Sequence, residues 1–336
     1  MKTNKTYDEH LAKLNALREE MLDIKHDPTA EERKAEAEYA AAFKDMLHTG
    51  ISQNALKKGI DGAGGYLVPD TFEQTLVRGL TEKSVLRKLA TVFTTNKRMK
   101  IPAVITNGSA AWIPEGEVVP LSEITLGEIV LDAYKLAHKI IVSDEMLEDA
   151  DFDVEDYIRQ LFVESISAAE ESAFFAGDGN GKPLGIIHQA EVGCVSDEVG
   201  KIDFDDIINL IHSVKQPYLN NAALVMSTDA MAKLRRIAIY RGKSYWGVSI
   251  ADGETETLFG YPVYVTNDLP TVEAGNLPVL FGDFSHFWIG ERGKRSIKRL
   301  VERYADKGQV AYITSERIDA KLVLPEAVKS LEIKAE

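Results

Sequence analysis

The chain has 336 residues, and 39 Lys and Arg against 53 Asp and Glu leave a net charge of −14. Such a balance argues against a protein that grips nucleic acid by counterion release over its whole surface. The single cysteine, Cys194, excludes an internal disulfide framework and a paired-cysteine zinc site.

In chain order, Leu11, Leu14, Leu17, Met21 and Leu22 recur at spacings of three and four, which predicts an amphipathic helix. Asp27-Pro28 interrupts it, Asp27 suiting an N-cap and Pro28 the first position of a second helix. Ala35, Tyr39, Ala42, Phe43, Met46 and Leu47 form the apolar side of that helix, which stops at Gly50. Neither helix can bury its stripe alone, so 1–58 is read as a helical appendage of the main fold or as an assembly element. Residues 57–65 hold four glycines in nine residues, a flexible joint. A helix is expected from Asp70 to Leu80, and a long polar hairpin over 97–130 turning at Thr106-Asn-Gly-Ser109. A two-stranded arm is marginal in water unless it lies on something, and Trp112 is its natural anchor. A strand follows over Tyr134–Val142, then a short helix capped by Ser143 and a long one capped by Asp153. The long helix runs to Ala176 with Val154, Tyr157, Ile158, Leu161, Phe162, Ile166 and Ala169 as its buried face. Helices near Phe204–Val214 and Asp229–Tyr240 alternate with strands at Ala222–Met226, Tyr261–Thr266 and Val279–Gly282. Strands at Ser296–Arg303 and Val310–Leu324 close the chain. The longest apolar runs are far below the ~20 residues needed to cross a bilayer. The polar start Met1-Lys-Thr-Asn-Lys5 lacks a signal core, so a soluble, intracellularly made protein is expected.

Motifs that resemble catalysis or ligand binding fail on inspection. Gly177-Asp-Gly-Asn-Gly-Lys182 lacks the first glycine and the Ser or Thr of a phosphate loop, and it follows a helix; it reads as a helix stop with a tight turn. Asp144–Asp156 holds eight acidic residues but lacks the glycine and glutamate of a calcium loop. Seven scattered histidines offer no close pair, and no nucleophile elbow is present. No catalytic, cofactor or metal site is expected. The one basic cluster, Arg292–Arg299, reads as a strand with one wet face, and Arg295 and Lys298 are expected to meet an acidic surface of a neighbouring subunit.

The order of these parts resembles the major capsid proteins of tailed bacteriophages, of the Hong Kong 97 type. The resemblance rests on Gly64-Gly-Tyr-Leu-Val-Pro69, Trp112-Ile-Pro-Glu-Gly116, Leu121-Ser-Glu-Ile-Thr125, Ala176–Gly185, Leu258-Phe-Gly-Tyr-Pro-Val263 and Val279-Leu-Phe-Gly-Asp-Phe284, in that order over 59–336. It implies an α+β fold with a scaffolding-like delta segment (1–58), an N-arm with the first helix (59–89) and an E-loop (90–133). A peripheral domain with a spine helix (134–198), an axial domain (199–304) and closing peripheral strands (305–336) complete it. It further implies a non-enzymatic shell of hexamers and pentamers around double-stranded DNA. The partners would be a portal, and in some systems a maturation protease and a decoration protein. Trp112, Glu115, Glu117, Arg295 and Lys298 would contact neighbours. The namesake's covalent cross-link is not expected: its lysine falls on Gly116, its asparagine near Gly308 and its glutamate near Ser315, with Glu316 adjacent, and 101–134 contains no lysine. An encapsulin-like compartment and an unrecognised α/β enzyme are the competing readings.

Overall fold

The structure is a computed structural model and describes residues 30–49, 66–67, 70–95, 97–106, 125–148, 154–241, 246–247 and 256–335. The first amphipathic stripe, Asp27-Pro28, the glycine joint, Trp112, Glu115, Glu117 and the Asp153 cap lie outside these residues. Helices are α1 (Ala30–Thr49), α2 (Asp70–Lys83), α3 (Val85–Leu89), α4 (Asp144–Glu148), α5 (Val154–Ala176), α6 (Phe204–Ser213) and α7 (Thr228–Arg241). Strands are β1 (Tyr66–Leu67), β2 (Thr91–Thr95), β3 (Met99–Thr106), β4 (Thr125–Leu131), β5 (Tyr134–Ser143), β6 (Glu191–Val195), β7 (Ala223–Ser227) and β8 (Trp246–Gly247). They continue with β9 (Thr257–Leu258), β10 (Tyr261–Thr266), β11 (Val279–Gly282), β12 (Phe287–Arg292), β13 (Ser296–Leu300), β14 (Gln309–Leu322) and β15 (Val328–Glu332).

Two sheets organise the described chain, and β3 and β4 pair separately as the two strands of the expected arm, whose turn lies outside the described residues. The six-stranded sheet runs β1-β13-β14-β12-β2, with β5 also pairing β14 over Gln309–Ile318. The seven-stranded sheet runs β6-β15-β11-β7-β10-β9-β8. These sheets divide the chain differently from the boundaries drawn on the sequence. β12 and β13, inside 199–304, join the six-stranded sheet, while β6 and β15, outside it, join the seven-stranded one. Strand partners far apart in sequence set that division, and residue order alone carries no signal of it.

Packing follows amphipathicity. Asp203 caps α6 in a capping box with Asp206, and α6 and α7 close one face of the seven-stranded sheet through Phe204, Ile207, Leu210 and Leu234. On the other face Leu280, Val225 and Val328 meet Phe174 and Phe175 from the end of α5, and Phe287 and Ile289 from β12, so one core spans both sheets. Helices α1, α2 and α5 cover the six-stranded sheet. Along α5 the buried residues Ile158, Phe162 and Ile166 recur every fourth position, whereas Ala169, expected on that face, is exposed because it falls off the stripe. Ala35 is likewise exposed on α1, while Phe43, Met46 and Leu47 are fully buried against α5 and β14. Burying each of these three stabilises the docked helix by about 1.5–3 kcal/mol.

Candidate functional site

No catalytic constellation emerges among the described residues; what the fold builds is a joint. Glu170 occupies the next position of the α5 stripe after Ile166 and is buried with it. Arg87, on α3, donates from Nε and Nη2 to both Glu170 oxygens at 2.7 Å, the bidentate geometry for which guanidinium is suited. Its Nη1 donates to Glu291 of β12 at 2.8 Å. Arg295 donates from Nη2 to the same Glu291 oxygen at 2.8 Å, from Nε to Glu316 of β14 at 2.6 Å, and from Nη1 to Glu73 of α2 at 3.2 Å. Two guanidiniums and four carboxyls thus tie α2, α3, α5, β12 and β14 at one point. Burial works against charge on Glu291, yet Arg295 and Arg87 outweigh it and hold its carboxyl at about 2. Burial, with the Glu170 charge alongside, pushes Glu316 up to about 8 despite Arg295. The neighbouring Glu171 accepts from Val85 N–H at 2.9 Å and from Ser84 Oγ, holding the start of α3 against the spine helix.

Arg295 therefore sits inside the protomer, 3% exposed, and not on the wet face expected for it. The physical reason is register: Arg295 lies two residues before the buried Ile297, so the strand parity carries it to the inward face, where Glu73, Glu291 and Glu316 receive it. Lys298 does lie in the strand. It pairs with Ile313, which pairs with Lys139, so the three share one face of the sheet. Arg317 and Lys135, paired directly and both exposed, extend that face. Among the described residues, where β5 and β13 flank 309–318, the strand positions on this face carry four cations around the half-exposed Ile141.

Two further pieces position the arm and the loop after α5. Asp319 of β14 accepts from Asp132 N–H at 2.7 Å through Oδ2 and from Ala320 N–H at 2.8 Å through Oδ1, clamping the base of the hairpin. Leu131, Trp288, Phe93 and Val323 pack beneath it, with the Phe93 and Trp288 rings edge to face at 5.6 Å. Gly177 stops α5 as expected, and Gly185 N–H donates to Gly177 carbonyl at 2.8 Å, closing 177–185 into a tight loop rather than an anion cradle. Cys194 is half-buried in β6, and burial, with Asp206 and Asp197 alongside, pushes its thiol up to about 12, which disfavours the thiolate.

Residues 64–333 match the model of the phage capsid family. The chain belongs to that family. It is 25% identical over 251 residues to the major capsid protein of Klebsiella oxytoca phage phiKO2, covering 70% of this chain and 58% of that one. To the major capsid protein of Escherichia phage T5 it is 24% identical over 280 residues, covering 77% and 60%. The chain thus spans about three-fifths of the length of these curated relatives. Among solved structures, the capsid of an empty GTA particle superposes with a TM-score of 0.64 at 26% identity over 75% of this chain and 90% of that one. An encapsulin complex of Synechococcus elongatus gives 0.55 at 15% identity, over 76% and 88%. The fold is the α+β capsid fold of the Hong Kong 97 type.

Sequence reasoning missed Arg87, Glu170 and Asp319, and met Glu316 only as the neighbour of the namesake's cross-linking glutamate position, not as a buried partner of Arg295. For Glu170 a signal existed: the four-residue period of Ile158, Phe162 and Ile166 runs straight through it to Phe174.

Proposed function

We propose that this chain is a non-enzymatic major capsid protein whose copies form the hexamers and pentamers of an icosahedral shell around double-stranded DNA. The family fold over 64–333, with its separate β3–β4 pair, carries the reading. Residues 1–58 act as a delta segment, 59–89 as N-arm and first helix and 90–133 as E-loop, while the six-stranded sheet with α5 serves as peripheral domain and the seven-stranded sheet with α6 and α7 as axial domain. A portal protein, and in some systems a maturation protease and a decoration protein, join the shell, which assembles in the host cytoplasm. The net charge of −14 leaves packaged DNA weakly held, which suits a container that must empty. The likeness to an encapsulin complex favours a second reading, a cargo-holding compartment, which enzyme co-purifying inside the particles would support.

Assembly needs a partner for the arm. The stretch 101–134 contains Glu115, Glu117 and Trp112 and has no Lys or Arg, while the face of β5, β13 and β14 that bears Ile141 carries Lys135, Lys139, Lys298 and Arg317. The arm of one copy lies on that face of the next, with Trp112 as apolar anchor. Each exposed pair is worth only ~0–1 kcal/mol, but every subunit repeats it. Lys298→Glu is expected to cut particle yield at low salt by sedimentation, and adding Glu117→Lys to restore part of it. Unchanged yield in Lys298→Glu would contradict the pairing. The shell holds without covalent links, so assembled particles are expected to run as single chains on denaturing gels. A ladder of covalent oligomers would overturn that.

A further inference from the structure

Glu316 Oε2 accepts from Arg295, but its Oε1 is buried and meets no donor among the described residues. Beside it stands Glu170, whose oxygens are already committed to Arg87, and two facing carboxylates cannot bond without a hydrogen between them. The surrounding charges do not relieve this. Facing the pair are Arg87 from α3, Glu291 from β12, Arg295 from the turn before β13 and Glu73 from α2, two cations for four carboxyls in all. From β5, Leu136 pairs with Glu316, and His138, the next inward residue, is turned to Ser165 Oγ at 2.8 Å. We propose that Glu316 and Glu170 share one proton in the folded protomer, a latch between the closing strand β14 and the spine helix α5 that opens as pH rises.

The sign follows from proton counts. Burial and the Glu170 charge raise Glu316 from the ordinary glutamate value to about 8, so the folded state binds one more proton than the unfolded state between about pH 4.5 and 8. Stability from this group is complete below that window and lost as pH climbs through it. Glu291 runs the other way: held at about 2, its contribution is present above about pH 4.5 and lost only as the medium is acidified toward 2.

Glu316→Gln supplies a fixed N–H donor where the proton sat. The unfolding constant of the wild-type chain is expected to rise by up to about tenfold per pH unit relative to Glu316→Gln between pH 5 and 8. Equal pH slopes for the two chains would overturn the latch. Should the variant not fold, infrared spectra of the wild-type chain labelled at glutamate decide the matter. A protonated-carboxyl stretch is expected at pH 7 and should disappear toward pH 9; its absence at pH 7 would overturn the proposal.

Discussion

Arg295→Glu is expected to yield no folded protomer. The guanidinium is enclosed and donates to three carboxyls, on α2, β12 and β14. Removing one partner of a buried ion pair costs about 3–5 kcal/mol. Reversal goes further, adding a fifth carboxyl to a site that already holds four. Against the ~5–15 kcal/mol that stabilises a typical domain, little remains. Soluble expression and thermal melting by circular dichroism check this, with Lys135→Glu at an exposed position as the surface control, expected to melt as the wild type does. An Arg295→Glu protomer that melts normally but fails to assemble would return Arg295 to an intersubunit contact.

Gly185→Ala is the second large effect. A Cβ there would sit 2.3 Å from Phe175 carbonyl oxygen and 2.6 Å from Gly177 nitrogen, both backbone atoms of the α5 terminus. No flexible side chain can yield, so the loop must separate from the helix and lose the Gly185-to-Gly177 hydrogen bond. A loss of about 3 kcal/mol or more is expected in denaturant unfolding, in the upper range for single substitutions. Gly181→Ala is the control: its φ of +71° strains an alanine by about 1–2 kcal/mol, but the space around it is open. Gly185 itself has an ordinary φ of −68°, so a loss there no larger than at Gly181 would contradict the close-approach account.

Local patterns proved readable where one element decides its own fate. Tyr261–Thr266 and Val279–Gly282 form the strands expected of them, Ser143 Oγ accepts from Met146 N–H at the start of α4, and Gly177 ends the spine helix. The helix of 30–49 docks by Phe43, Met46 and Leu47, the residues its periodicity selects. What stayed hidden depends on partners distant in sequence. β2 and β15 are five-residue strands, β2 pairing β12 in parallel across almost two hundred positions, and β12 itself reads as an unpatterned apolar run because both its faces are covered. Arg295 misled for a related reason. A basic run looks solvated on the sequence, and only the meeting of α2, β12 and β14 around it makes it an interior cation.

The most direct test is electron microscopy of the full chain expressed alone, after size fractionation. Closed shells, or five- and six-membered rings, are the result expected of a capsid subunit. A stable compact monomer or dimer at high concentration would contradict the account.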